Sequence, residues 1–227
     1  MNGETIEFAS DGGTTPGYLA RPEGGSGPGL VVIQEWWGLV GHVRDLVDRF
    51  AAAGFVALAP DLYHGERTKS PDEAGKLMMA LDIDRAARDI RSAADHLLAL
   101  DGVKGERVGV MGFCMGGQLA LHAGQEHPDR FAAVVDFYGI HPSVPLAPER
   151  VKVPVLAHFG RRDHSVPPAV ADELVRRLRE GGADVEAYSY DADHAFFNDQ
   201  RPEVHDAGAS KLAWERTLDF LRRHLPG

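Results

Sequence analysis

Val108-Gly109-Val110-Met111-Gly112-Phe113-Cys114-Met115-Gly116-Gly117 is the stretch that decides the fold. Residues 107–112 form an apolar strand that runs into a sharp turn, and a helix starts near Met115. The turn has the pattern Gly-x-Cys-x-Gly, a nucleophile elbow with sulfur in place of the serine oxygen. Gly112 and Gly116 lack Cβ atoms where strand and helix must pack closely, which lets the residue between them occupy a strained, exposed turn. The helix that follows directs its free N–H groups and positive dipole end at the sulfur, which favours thiolate. A lone free cysteine is more often a buried structural residue. Strand, elbow glycines and apolar helix together make Cys114 the candidate nucleophile instead.

Composition narrows the setting. With 227 residues, 44% of them hydrophobic and 26% charged, the chain has the make-up of a soluble globular protein with a real core. A formal net charge of −10 offers no basic field for phosphate, so nucleic acid is not an expected partner. A single cysteine excludes an internal disulfide and suits a reducing compartment. No basic-then-apolar leader opens the sequence, and no apolar run approaches the roughly 20 residues of a membrane helix. The expectation is a cytoplasmic protein with no membrane partner, as a monomer or small homo-oligomer.

The rest of the chain alternates strand and helix. Residues 5–8 and 17–20 flank Asp11-Gly12-Gly13, which predicts an N-terminal β-hairpin. Residues 24–29 form a Gly-rich loop, and the β-branched run 30–33 reads as a strand buried on both faces. Val43, Leu46, Val47 and Phe50 recur at helical spacing, and Gly54 ends that helix. A second buried strand covers 55–59. An excursion beginning at Asp61 carries a short helix over 73–81, and 84–100 is an amphipathic helix. Beyond the elbow come strands over 131–137 and 153–158, a helix over 167–181, a strand over 185–188 and a final helix over about 205–224. This alternation predicts one α/β domain over 1–227, a mostly parallel central sheet with helices on both faces.

In such sheets the working residues sit on loops beyond the C-terminal ends of the strands. Phe159 to Pro167 and Asp191 to Phe197 are two such loops, supplying Asp163 and His194. With Cys114 they give the chain order nucleophile, acid, base. His194 would activate the thiol and later protonate the leaving group, while Asp163 would fix the imidazole tautomer. Asp163 could alternatively be a turn or cap residue. Asp191 and Asp193 read as solvated loop charges, and with His194 they have no recognised metal-ligand spacing, so no metal is expected.

Gln34-Glu35-Trp36-Trp37-Gly38, Ala59-Pro60-Asp61-Leu62-Tyr63, the elbow, the stretch 158–167 and Asp193-His194-Ala195-Phe196 together resemble the dienelactone hydrolase family over nearly the whole chain. The resemblance implies an α/β-hydrolase fold, hydrolysis of a small ester or lactone through an acyl-enzyme, a Cys114-His194-Asp163 triad, and no cofactor. It also implies a role for Glu35, whose family counterpart contacts the resting thiol and assists its deprotonation when substrate binds. A nearby carboxylate disfavours thiolate and so shields the sulfur from oxidation. The backbone N–H groups of Met115 and Trp36 would form the oxyanion hole. Trp37, Tyr63, Met78, Phe196 and Asn198 are the candidate substrate-binding residues. Trp36 and Trp37 could equally cap the core.

The chain departs from that family where specificity is set. Members that cleave dienelactone hold its carboxylate with two arginines. Here the second position is Asn198, and the first falls near Pro71, with pocket aromatics of the same helix mapping near Gly75 and Met78. An amide cannot replace a bidentate guanidinium–carboxylate pair. Ala195 stands where a serine can follow the catalytic histidine, and Arg67, Arg161 and Arg162 read as surface charges. A broad carboxylesterase or thioesterase without lactone preference is therefore the alternative activity. A non-enzymatic redox-sensing thiol is the alternative of another class, although it gives no reason for His194 and Asp163 in triad order.

Overall fold

In the computed structural model, which describes residues 3–10 and 13–225, an eight-stranded sheet runs in the order β1-β2-β4-β3-β5-β6-β7-β8. Strands β1 (Glu4–Ser10) and β2 (Gly13–Ala20) pair antiparallel with Ser10 opposite Gly13, and the predicted turn residues Asp11 and Gly12 lie outside the described residues. Strand β2 joins β4 (Val56–Pro60) antiparallel, and from there to β8 the strands are parallel. They are β3 (Gly27–Ile33), β5 (Val103–Phe113), β6 (Phe131–Phe137), β7 (Val155–Gly160) and β8 (Val185–Tyr190).

Continuous apolar runs mark the central strands because both faces are covered. Leu30 and Val32 of β3 and Met111 and Phe113 of β5 pack towards α1 (Gly41–Ala52) and α6 (Ala207–His224). Their alternates Val31, Ile33, Val108 and Val110 pack towards α3 (Ile83–Ala99), α4 (Met115–Glu126) and α5 (Pro168–Glu180). Buried His158 of β7 bonds Tyr190 Oη of β8 at 2.9 Å and ties the sheet to α6 through Thr217 Oγ1 at 3.0 Å. Its burial pushes the imidazole down to about 3.

Two boundaries differ most from expectation, while β7 (expected over 153–158), β8 (185–188) and α2 (73–81) shift by one or two residues at their ends. Strand β3 starts at Gly27, inside the predicted loop, and β5 extends back to Val103, because Gly27 and Pro28 pair with Val103 and Lys104. A Cβ at Gly27 would lie 2.0 Å from the Gly54 carbonyl oxygen, so this approach depends on a residue type that local patterning reads as loop. Helix α2 (Pro71–Ala80) is the excursion helix, and only Ala74 of it is buried.

A buried polar junction fastens the excursion loop to the body. Asp89 of α3 accepts the Ser10 and Thr15 hydroxyls on one oxygen, at 2.5 and 2.7 Å, and His64 Nε2 on the other at 2.9 Å. Because a carboxylate only accepts, His64 donates from Nε2, leaving Nδ1 to accept from Arg85 at 3.1 Å. Asp89→Ala would strand three donors at once, so a loss of about 3 kcal/mol is expected, read as a lower urea midpoint with unchanged slope.

Candidate active site

The elbow joins β5 to α4 at Cys114, whose φ of 55° and ψ of −124° place a non-glycine residue in a strained region. Glycines make this possible. A Cβ on Gly112 would lie 2.0 Å from the Gly116 carbonyl oxygen, and one on Gly116 would lie 2.4 Å from that of Gln34. The strain is held by the segment after β6. Cys114 N–H donates to Phe137 O at 3.0 Å, and Cys114 O accepts from Gly117 at 2.9 Å and Ile140 at 3.1 Å. Met115 opens α4, where backbone N–H groups lack intrahelical acceptors.

His194 and Asp163 come together from the loops after β8 and β7. His194 Nδ1 donates to Asp163 Oδ2 at 2.7 Å, which aims Nε2 away from the carboxylate. Asp163 Oδ1 accepts the backbone N–H groups of Ser165 and Val166 at 2.7 and 2.8 Å, so the acid is held by its own turn. The Asp163 side chain is 0% exposed and that of His194 is 21% exposed. Burial pulls the imidazole down, but hydrogen bonds and charge from Asp163 and Cys114 outweigh it and push His194 up to about 10. The arrangement can therefore hold an imidazolium against Asp163.

Glu35, at the C-terminal end of β3, is buried; Asn198 Nδ2 donates to its Oε2 at 2.9 Å, while Oε1 has no hydrogen-bond partner. Glu35, Cys114 and His194 line one cleft of about 230 Å³, with Trp36, Trp37 and Met78 among its walls. Behind the elbow, Asp136 of β6 is fully buried and its carboxyl oxygens meet no donor at hydrogen-bonding geometry. Burial pushes it up to about 7, against the opposing pull of the nearby Gly139 N–H and His194.

The remaining candidates divide by position. Trp36 and Trp37 meet edge to face at 5.0 Å, and Met78 is held at the cleft by its carbonyl, which accepts His141 Nε2 at 3.1 Å. Tyr63 sits behind the wall and donates its hydroxyl to Met115 Sδ at 3.3 Å. Phe196 is fully buried between Tyr138 and Tyr190, at 5.5 and 5.1 Å, and does not line the cleft. Asn198 reaches Glu35 and an adjoining cavity of about 490 Å³ shared with Trp37 and His42.

Arg162 pairs with Asp191 and Asp193 at the surface, and neither Arg161 nor Arg67 lines the cleft. Arg201, which the motifs did not mark, does line it, with its guanidinium 5.5 Å from the Trp37 ring and Nε donating to Glu203 at 2.8 Å. Its position three residues beyond Asn198 was the available signal. Among the described residues no cluster of His, Cys, Asp and Glu is arranged to hold a metal ion, and no helix is long and apolar enough to cross a membrane.

Comparison with known proteins places this geometry. The model of the dienelactone hydrolase family matches residues 15–225. Protein usf of Aquifex pyrophilus is 35% identical, across 98% of this chain and 99% of its own. A provisionally assigned carboxymethylenebutenolidase of Aquifex aeolicus is 31% identical with the same coverage. The crystal structure of a provisionally assigned dienelactone hydrolase from Klebsiella pneumoniae superimposes with a TM-score of 0.88 at 28% identity, covering 97% of this chain and 98% of that one. Together with the elbow at the C-terminal edge of a mostly parallel sheet, these matches identify the chain as a member of the dienelactone hydrolase family, with the α/β-hydrolase fold.

Proposed function

We propose that the protein is a cysteine-dependent hydrolase of small carboxylic esters and lactones. The observation that carries this reading is the 2.7 Å Asp163–His194 pair, whose imidazole lines one cleft with Cys114 at the strained elbow. The Cys114 thiolate attacks the carbonyl carbon, and the backbone N–H groups of Met115 and Trp36 receive the developing oxyanion. His194 Nε2 gives its proton to the departing alkoxide as the C–O bond breaks, leaving a thioester on Cys114. His194 then takes a proton from water as the hydroxide attacks the thioester, and the carboxylic acid leaves with the thiolate restored. Asp163 keeps the imidazole in one tautomer throughout. Before substrate enters, the Glu35 carboxylate disfavours ionisation of the resting thiol; as substrate binds it turns away and the thiol proton passes to His194.

The cleft is small and bounded by tryptophans and Met78, which suits a compact acyl group. Asn198 lies where the family's second carboxylate-binding arginine stands, which favours broad carboxylesterase or thioesterase activity as the second reading. A panel of p-nitrophenyl esters, thioesters and lactones separates the two by their kcat/KM ratios.

Cys114→Ala should lower kcat for p-nitrophenyl acetate by about 10⁴-fold while the circular dichroism spectrum stays native. Equal activity in the variant and the wild type would remove Cys114 from the chemistry and return it to a sensing role. The ion pair also has a stability signature. Because folding raises His194 from 6.5 to about 10, its contribution is full below pH 6.5 and is lost as pH rises through 10. The stability advantage of the wild type over Asp163→Asn should therefore be largest near about pH 6 and shrink towards about pH 10, measured by urea unfolding at intermediate points.

A further inference from the structure

Tyr138 follows β6 and has a role that no step above uses. It is fully buried, its φ is 43°, and its backbone N–H is pinned to His158 O at 2.8 Å. An aromatic residue in the left-handed region is strained, and such residues persist where the surroundings over-determine them. Its ring lies 5.0 Å from His194 and 5.5 Å from Phe196. Its hydroxyl has no hydrogen-bond partner, the Phe197 N–H nearby approaching the oxygen without bonding geometry. A buried hydroxyl without an acceptor lowers stability, and phenylalanine would fill the same space without that penalty.

The charged and titratable groups around this hydroxyl come from four elements. They are Glu35 after β3, Cys114 at the elbow, Asp163 after β7 and His194 after β8. Desolvation, followed by the negative charge of Glu35 and Cys114, raises the phenol far above its ordinary range, so it is a donor that keeps its proton. In the same pocket Glu35 has one oxygen anchored by Asn198 and the other, Oε1, buried without a donor. An acceptor without a donor and a donor without an acceptor thus both lie beside His194, Glu35 lining the cleft with it and the Tyr138 ring 5.0 Å from it.

We propose that Tyr138 is a positioning residue for Glu35, its hydroxyl being the alternative partner that receives Oε1 when that oxygen leaves the Cys114 thiol. The proposal rests on the role given to Glu35 under Proposed function. Asn198 holds Oε2 as a fixed pivot, and a small side-chain rotation carries Oε1 between thiol and phenol. The phenol keeps its own proton in both positions and supplies only a hydrogen bond. That bond stabilises the ionised carboxylate after the thiol is engaged by substrate.

The test is a double-mutant cycle on the full chain, with kcat/KM for p-nitrophenyl acetate followed against pH in wild type, E35Q, Y138F and the double variant. Thermal unfolding is measured on each. Y138F is expected to melt at or above the wild-type temperature, to lose on the order of 10-fold in kcat/KM, and to show its acidic limb at higher pH. The double variant should be no worse than E35Q. Wild-type activity and pH profile in Y138F, or losses that multiply in the double variant, would overturn the proposal. A normal profile in E35Q overturns it while leaving the triad intact, whereas an active C114A removes the proposed function and this proposal with it. If Y138F does not fold, 3-fluorotyrosine at position 138 keeps the ring and strengthens the donor. The acidic limb should then move to lower pH, and an unmoved limb overturns the proposal.

Discussion

The left-handed backbone of Cys114 is the constraint on which the rest of this structure depends. A side chain at that conformation projects clear of the sheet only if β5, α4 and the loop after β3 come closer than side chains ordinarily allow. Gly112 and Gly116 remove the Cβ atoms in the way, and the segment from Phe137 to Ile140 supplies both a carbonyl and an N–H to hold the turn. The conformational cost is met by the surrounding parallel sheet, whose apolar faces are buried on both sides. Geometry at the sulfur is thus a property of the whole fold and not of a local loop.

The same end of the sheet gathers an unusual density of buried polar groups. Asp163, Glu35, Asp136 and Tyr138 all lie in desolvated positions around one thiol and one imidazole. Low local dielectric makes each of these interactions strong and each unmet partner costly. Asp163 is fully satisfied by two backbone N–H groups and His194, so its position is rigid. Glu35 is tied by one oxygen only, so it retains freedom that Asp163 lacks. Two carboxylates in one site therefore differ in mobility because they differ in how completely they are bonded.

Much of this was legible from the chain itself. The β-branched run at Leu30 to Ile33 announced a strand covered on both faces, and the elbow glycines announced the strand-to-helix turn. Strand content, helix spacing and the loops carrying Asp163 and His194 all followed from local pattern. The Asn198–Glu35 bond did not, since it spans 163 positions and depends on how two loops meet. Nor did Arg201, placed over Trp37 by the path of its loop, or the inward turn of Phe196. The early start of β3 leaves no local pattern, because glycine permits close approach and flexible loop alike. Patterns of period two and 3.6 report burial, and loop residues have neither period.

Helix α2 touches the cleft through Met78 yet buries only Ala74, with Met79 exposed on its outer side. Cys114, His194 and Asp163 follow strand ends, whereas this wall stands on an element with few core obligations. Substitutions along it change the shape presented to a substrate without disturbing the sheet that holds the sulfur. The architecture thus separates what must stay constant over evolutionary time from what is free to drift. A lineage can explore new acyl groups by editing one lightly held helix while inheriting its reaction chemistry unchanged.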